Sequence, residues 1–349
     1  MYQGVLYALL AAALFGASTP FAKQLIGDVP PVLLAGLLYA GSGTGLACIY
    51  LIQRARGIAL ADLSSKDLPW LGGAILAGGV VAPVLLLYGL TLTAASTASL
   101  LLNLESVLTA ILAWWVFREN YDRRIAVGMW AIVAGSVLLS WNSWNGVSGD
   151  GAILGPVVIA AACLCWSIDN NLTRKVSASD AVQIACLKGL VAGSVNLGVA
   201  IAMGSELPAL QTAALAATLG FIGYGLSLVL FVLALRHLGT ARSGAYFSLA
   251  PFVGAVLSLV MLGDRPGPLF WVAGVLMAIG LWLHLTESHG HEHDHEPMEH
   301  AHSHRHDKHH QHQHGAEWDG REPHVHPHIH MPLRHKHPHF PDIHHRHDH

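Results

Sequence analysis

The 349-residue chain predicts an all-α integral membrane protein, with ten transmembrane helices arranged as two inverted five-helix repeats. Three observations carry that expectation. Hydrophobic residues make up 53% of the chain and charged residues 12%, against about 25% charged in soluble domains, and the mean hydropathy is +0.46. Apolar runs of about 20 residues, each long enough to cross about 30 Å of hydrocarbon, recur ten times before residue 287. Finally, the stretch 85–119 nearly recurs 145 residues later without a gap. Gly89-Leu90 falls on Ala234-Leu235, Leu104-Glu105-Ser106 on Leu249-Ala250-Pro251, and Phe117-Arg118-Glu119 on Leu262-Gly263-Asp264. A constant offset over some thirty residues is the signature of an internal repeat.

The predicted spans are 4–26, 31–52, 68–91, 95–117 and 124–141, then 152–172, 180–203, 209–235, 241–262 and 268–286. Residues 1–141 form the first repeat, 142–151 a short connection, 152–286 the second repeat and 287–349 a polar tail. The first apolar run lacks a basic leader and continues to Lys23, too long for the core of a cleaved signal, so it is expected to stay. Arg54, Arg56 and Lys66 follow helix two; Arg118, Arg123 and Arg124 follow helix four. Arg174 and Lys175 follow helix six, and Arg236 and Arg242 follow helix eight. All these loops share one side, which the positive-inside rule makes cytoplasmic, and the opposite loops hold little beyond Lys23 and Arg265. The expectation is therefore a multi-pass protein of the cytoplasmic (inner) membrane with both termini cytoplasmic.

Five crossings per repeat is an odd number, so the second copy must enter the membrane upside down. A second match at an offset of 151, Phe15-Gly16 through Lys23 on Trp166-Ser167 through Arg174, aligns the helix-one openings. Trp70, Trp141, Trp144 and Trp271 sit at predicted span ends, where interfacial belts form. Cys48, Cys163, Cys165 and Cys186 all lie inside apolar runs and read as small packing residues, not disulfides or metal ligands. Gly41, Gly45, Gly189 and Gly193 fit close helix packing.

Inverted repeats point to secondary transport, with a midplane site between the halves. No phosphate-binding loop of the G-x-x-x-x-G-K-[ST] type occurs, so the chain carries no nucleotide motor and is not expected to be an enzyme. The ten-helix plan, the echo ending in Arg118-Glu119 and Gly263-Asp264, and the opening from Leu14-Phe15-Gly16 to Lys23 resemble the EamA-type branch of the drug/metabolite transporter superfamily. The resemblance covers about residues 4–286. The family pattern is Leu-Glu-Pro within helices four and nine and Gly-Glu at their ends. Here the first copy keeps Glu105 but has Ser106 for proline, and the second keeps Pro251 but has Ala250 for glutamate. The resemblance implies small-solute transport, mostly export, without choosing a substrate.

Glu105 lies fourteen residues before Glu119, about 21 Å into the membrane. A bare charge there costs roughly 2.5–3.5 kcal/mol, so it must be neutral, paired or facing a wet cavity. It reads as a coupling or substrate site, or else as a carboxyl hydrogen-bonded to Asn103 or to a neighbouring helix and held for packing. Lys188, about 12 Å from the cytoplasmic edge, either reaches toward Glu105 in one conformation or snorkels to the headgroups. Asp169, Asn170 and Asn171 line a cytoplasmic mouth or, the reading preferred from sequence, simply close helix six at the interface. Asn196 and the prolines Pro20, Pro83, Pro156 and Pro251 are weaker pointers.

Of 25 histidines only His237 and His284 precede the tail. The others come in alternating runs: His289, His291, His293 and His295; His300, His302, His304 and His306; His309, His310, His312 and His314. His324, His326, His328 and His330 follow, then His335, His337 and His339, and finally His344, His345, His347 and His349. In an extended chain, residues two apart point the same way, so each run offers several imidazoles to one divalent ion such as zinc, nickel or cobalt. Such a composition builds no core, and disorder without metal is expected. No cofactor is required otherwise. The expected partners are a small-molecule or ion substrate and the bilayer, with a homodimer left open and no nucleic acid. Three functions remain in view: a carrier exporting metal gathered by the tail, a metabolite or drug exporter whose tail buffers or senses metal, and a non-transporting membrane metal sensor.

Overall fold

The structure, a computed structural model, describes residues 2–57, 63–117, 123–146, 151–176 and 179–285, together with the backbone of 289–294, 298–304, 324–330 and 334–339. Arg118 and Glu119, the connection 147–150, and the side chains of the 23 tail histidines lie outside the described residues. Among the described residues, seven helical stretches are long and apolar enough to cross a membrane: Gln3–Leu25, Pro31–Ala55, Leu68–Leu92, Ala95–Leu112, Ile153–Val176, Ala181–Ala202 and Leu210–Ala234. Three shorter apolar stretches, Ala126–Ser140, Ala250–Met261 and Pro268–Leu283, accompany them. Large apolar side chains face outward, including Trp130, Val260, Trp271 and Trp282. Such a surface is stable only against lipid.

Helix α1 (Tyr2–Leu25) and α2 (Pro31–Ala55) are continuous, and Pro31 starts α2 at a position where its missing N–H costs nothing. The third span is not regular. It comprises α3 (Leu68–Ala74), a π-helical turn (Ile75–Val81) and α4 (Ala82–Leu92). Pro83 explains part of this, since its nitrogen can donate neither to the Gly79 carbonyl in an α-helix nor to the Gly78 carbonyl in a π-helix. The fourth span is broken at Leu102–Asn103 into α5 (Ala95–Leu101) and α6 (Leu104–Phe117), which puts Glu105 in the first turn of a half-helix. Then come α7 (Arg123–Gly146), α8 (Gly151–Val176) and α9 (Ala181–Ala202), the last capped by the Asp180 carboxylate, which accepts from the Gln183 N–H at 2.8 Å.

The irregularities recur at the offsets read from the sequence. A second π turn, Phe221–Leu226, separates α10 (Leu210–Gly220) from α11 (Ser227–Phe247), and a second break, at Ser248–Leu249, precedes α12 (Ala250–Met261). Helix α13 (Pro268–Leu285) closes the helical part. Helical backbone bonding continues through the predicted connection 236–240, yet the Phe231 and Phe247 rings are 4.8 Å apart. Sixteen residues of straight helix would separate them by about 24 Å, so α11 doubles back within the expected loop.

Packing is antiparallel and runs through glycines. A Cβ on Gly36, Gly43 or Gly193 would collide with Leu197, Leu190 or Ala40 respectively, so α2 and α9 meet backbone to backbone in opposite directions. Gly4 and Gly223 bring α1 against Leu238 and carry the second π turn against Ser18. Gly73 and Gly89 bring the third span against Leu172 and Ile159 of α8, and Gly135 and Gly280 join α7 to α13. Contacts repeat with the offsets too. Gly16 abuts the Ala250 carbonyl, while Ser167, 151 residues after Gly16, donates to the Glu105 carbonyl at 3.0 Å. In the tail, His289–Asp294 pairs antiparallel with Arg334–His339, and Met298–His304 with His324–His330. The alternation that spaces the histidines by two is also the period of a strand.

Gly193→Ala and Gly198→Ala separate packing from propensity within one helix. Gly193 meets the Ala40 backbone, whereas nothing lies within 4 Å of a Cβ at Gly198. Thermal unfolding in detergent is expected to show Gly193→Ala destabilised by about 1–3 kcal/mol and Gly198→Ala unchanged or slightly stabilised.

Candidate functional site

The Pro83 irregularity leaves two carbonyls for side chains to satisfy. Gly78 O accepts from Tyr39 Oη at 2.8 Å and from Trp166 Nε1 at 3.0 Å, and Gly79 O accepts from Asn196 Nδ2 at 3.2 Å. Two aromatic residues from distant parts of the chain are thereby fixed beside one another. Phe15 packs edge-on against Trp166 and Tyr224, at 5.9 and 5.7 Å, and lies 5.5 Å from Phe247. Tyr39 is 5.5 Å from Tyr224. These rings, with Phe231, wall a cavity of about 80 Å³, room for several waters.

Three charged-type side chains share the cavity: Glu105, Asp169 and Lys188. Lys188 Nζ donates to both Asp169 oxygens, at 2.5 and 2.7 Å, and to Thr173 Oγ1 at 3.2 Å, while Thr173 donates to Asp169 Oδ1 at 2.8 Å. The pair is almost sealed, with side-chain exposures of 4% for Lys188 and 9% for Asp169. Its geometry follows from the α8–α9 hairpin. Asp169 lies seven residues before the end of α8 and Lys188 seven after the start of α9, so both sit about 10 Å from the connection. Glu105 is different. It is half-buried, and its Oε1 accepts from Asn170 Nδ2 at 2.7 Å.

Several sequence expectations change here. Lys188 does not reach for Glu105 in this structure, because Asp169 stands at its own level on the neighbouring helix. The end of helix six is not at 172: α8 runs to Val176, since Thr173-Arg174-Lys175-Val176 contains no breaker and Thr173 and Val176 are buried. Asp169 and Asn170 therefore lie inside the helix and line the cavity instead of closing an interfacial end. Asn171 ties α8 to its own Ser167 carbonyl at 2.8 Å and lies outside the lining. Asn103 is buried but donates to the Leu100 carbonyl at 3.0 Å, so it is not the partner of Glu105. Asn196 serves the π turn from behind. All four cysteines are free thiols. Among the described residues no group of three or more His, Cys, Asp or Glu side chains is placed to hold a metal ion.

The EamA-like transporter family matches residues 2–141 and again 153–286. The chain belongs to the EamA-like transporter family. An uncharacterized transporter of Methanothermobacter thermautotrophicus is 28% identical over 294 residues, covering 80% of this chain and 85% of that protein. A Streptantibioticus cattleyicolor protein named "Probable terminal-alkyne amino-acid exporter" is 29% identical over 266 residues, covering 72% and 87%. A crystal structure of a protein 19% identical superposes with a TM-score of 0.61, covering 80% of this chain and 94% of that one, which supports the fold alone.

In this EamA-like chain, sequence reasoning missed the cavity rings and Thr173. A signal for two of the rings was present: Phe15 and Trp166 are the first residues of the match at offset 151. The two rings meet edge-on in the structure. The sealed ion pair yields a stability test. Lys188→Met leaves Asp169 buried without its counter-charge and is expected to destabilise the protein by about 3–5 kcal/mol. Lys188→Met combined with Asp169→Leu removes both charges and is expected to recover most of the loss, read by thermal unfolding in detergent.

Proposed function

We propose that this EamA-like chain is a secondary exporter of a small organic solute, working by alternating access. In this reading the seven long and three shorter apolar stretches make ten crossings, arranged as two inverted five-helix repeats. The duplicated family match, the paired π turns and breaks, and the antiparallel packing of equivalent helices support it. The charge of the loops supports an orientation in the cytoplasmic membrane with both termini inside.

The observation that carries the proposal is the cavity. It is built from both family-matched halves, it sits beside a broken helix, and it offers a half-buried carboxylate against aromatic walls. Ligand sites of this construction are typical of repeat-based carriers, in which one half moves against the other around a fixed site. Rings and an internally neutralised lysine suit an organic solute better than a hydrated divalent cation, which seeks several oxygen or imidazole donors. The relative named "Probable terminal-alkyne amino-acid exporter" likewise carries an organic solute in its name. We further propose that the tail binds zinc, nickel or cobalt through its alternating histidines and buffers or senses metal beside the carrier.

Purified full-length protein in proteoliposomes, assayed for counterflow of a panel of amino acids, amines and divalent ions, tests both parts. Glu105→Gln is expected to lower organic-solute flux by about tenfold or more, equivalent to ~1.4 kcal/mol of lost interaction. Removing residues 288–349 is expected to abolish retention on immobilised nickel while leaving organic-solute flux unchanged. Flux of a divalent ion, with none of any organic solute, would refute the proposal.

A further inference from the structure

We propose that the cavity selects organic amines, bound as monocations, over amino acids and carboxylates. The inference rests on the carrier reading and comes from how the three charged-type side chains are committed. An ammonium group has three hydrogens to donate. Lys188 directs its donors to Asp169 Oδ1, Asp169 Oδ2 and Thr173 Oγ1, which leaves none for a substrate carboxylate. Freeing Lys188 would strand Asp169, itself buried, as a charge without a counter-ion. The wall at this point is electrically closed.

Glu105 is the complement. It is half-buried where the Lys188–Asp169 pair is sealed, and its Oε1 bonds Asn170 while Oε2 receives no hydrogen bond from the described residues. An arriving ammonium would find there an acceptor whose charge no described cation neutralises by contact. Around it stand Phe15, Tyr39, Trp166, Tyr224, Phe231 and Phe247, whose ring faces favour a cation and an apolar body together. The hydroxyl of Tyr39 and the indole N–H of Trp166 are both spent on the Gly78 carbonyl, so these two rings present apolar surface and not donors. A second negative group on the solute, as in an amino acid, meets Glu105 while the lining's one cation, Lys188, is committed to Asp169, so only neutral donors such as the Ser42 and Tyr224 hydroxyls remain to answer it.

The test uses full-length protein in lipid nanodiscs and compares compounds that share a hydrocarbon body and differ in the charged groups it carries: 2-phenylethylamine, phenylalanine and 3-phenylpropionate, and in parallel butylamine, norvaline and pentanoate. Binding is read by isothermal titration and by ligand-dependent thermal stabilisation. At least one amine is expected to bind on the order of 30-fold more tightly than its matched amino acid, with no binding of the acid, as loss of one buried charge partner predicts. Glu105→Gln is expected to abolish that preference and Glu105→Asp to retain part of it; if Glu105→Gln does not fold, Glu105→Asp carries the test, and a preference for the amine left undiminished by it overturns the proposal. Equal or tighter binding of the amino acids, or no binding of either amine, overturns the proposal. Failure of the carrier reading looks different: amines bind, yet proteoliposomes move no solute.

Discussion

Hydrocarbon offers a backbone carbonyl no water, so each one must find a donor within the protein. That constraint, applied at Gly78 and Gly79, organises this molecule. Pro83 denies both carbonyls their helical donor, and the third span answers with a π turn whose free oxygens face other helices. Tyr39, Trp166 and Asn196 supply the missing hydrogens. Because Trp166 and Asn196 belong to the second family-matched half and the π turn to the first, satisfying the backbone also binds one half to the other. The cavity's aromatic walls are thus a consequence of a backbone requirement before they are a recognition device.

Several backbone contacts recur at the two offsets, and the charges do not. Gly223 abuts Ser18 where, at the corresponding offsets, Gly78 abuts Asp169. Ala250 meets Gly16 where Glu105 meets Ser167. In each comparison one half has a small neutral residue and the other half a carboxylate, with Lys188 answering only one of the two. Since equivalent backbones tolerate either filling, the acids are not demanded by packing, and they define a cavity with a direction to its electrostatics.

Much of this was legible in the sequence. Composition and run length gave the helices, and the offsets of 145 and 151 marked equivalent breaks and equivalent contacts before any of them had a geometry. Glu105 stood out by its depth, and the structure places it in the cavity lining. The ion pair was harder, although arithmetic contained it: with a short connection between α8 and α9, residues seven from each helix end must stand level. Misplacing the end of α8 at 172 hid this, because it moved Asp169 to the interface. The cavity rings other than Phe15 and Trp166 were illegible for a different reason. In a chain this apolar, a Phe or Tyr facing a cavity has the same local pattern as one facing lipid, and only tertiary contacts tell them apart.

The same contacts decide which charges would take part in the proposed movement of one half against the other. Lys188, Asp169 and Thr173 all lie on the α8–α9 hairpin within one half, so motion of one half against the other carries the trio as a unit. The hydrogen bonds from Asn170 and Ser167 to the side chain and carbonyl of Glu105 instead cross between halves, as does that from Trp166 to Gly78. Any rocking that opens the cavity to one side strains these before it touches the buried pair. In the proposed carrier Lys188 fits a fixed electrostatic wall, and the gate expected of a Lys188–Glu105 contact would belong to Glu105 and Asn170. A solute ammonium at Glu105 would compete with the Asn170 donor for the same carboxylate, so occupancy and the hold between the halves are coupled through one side chain.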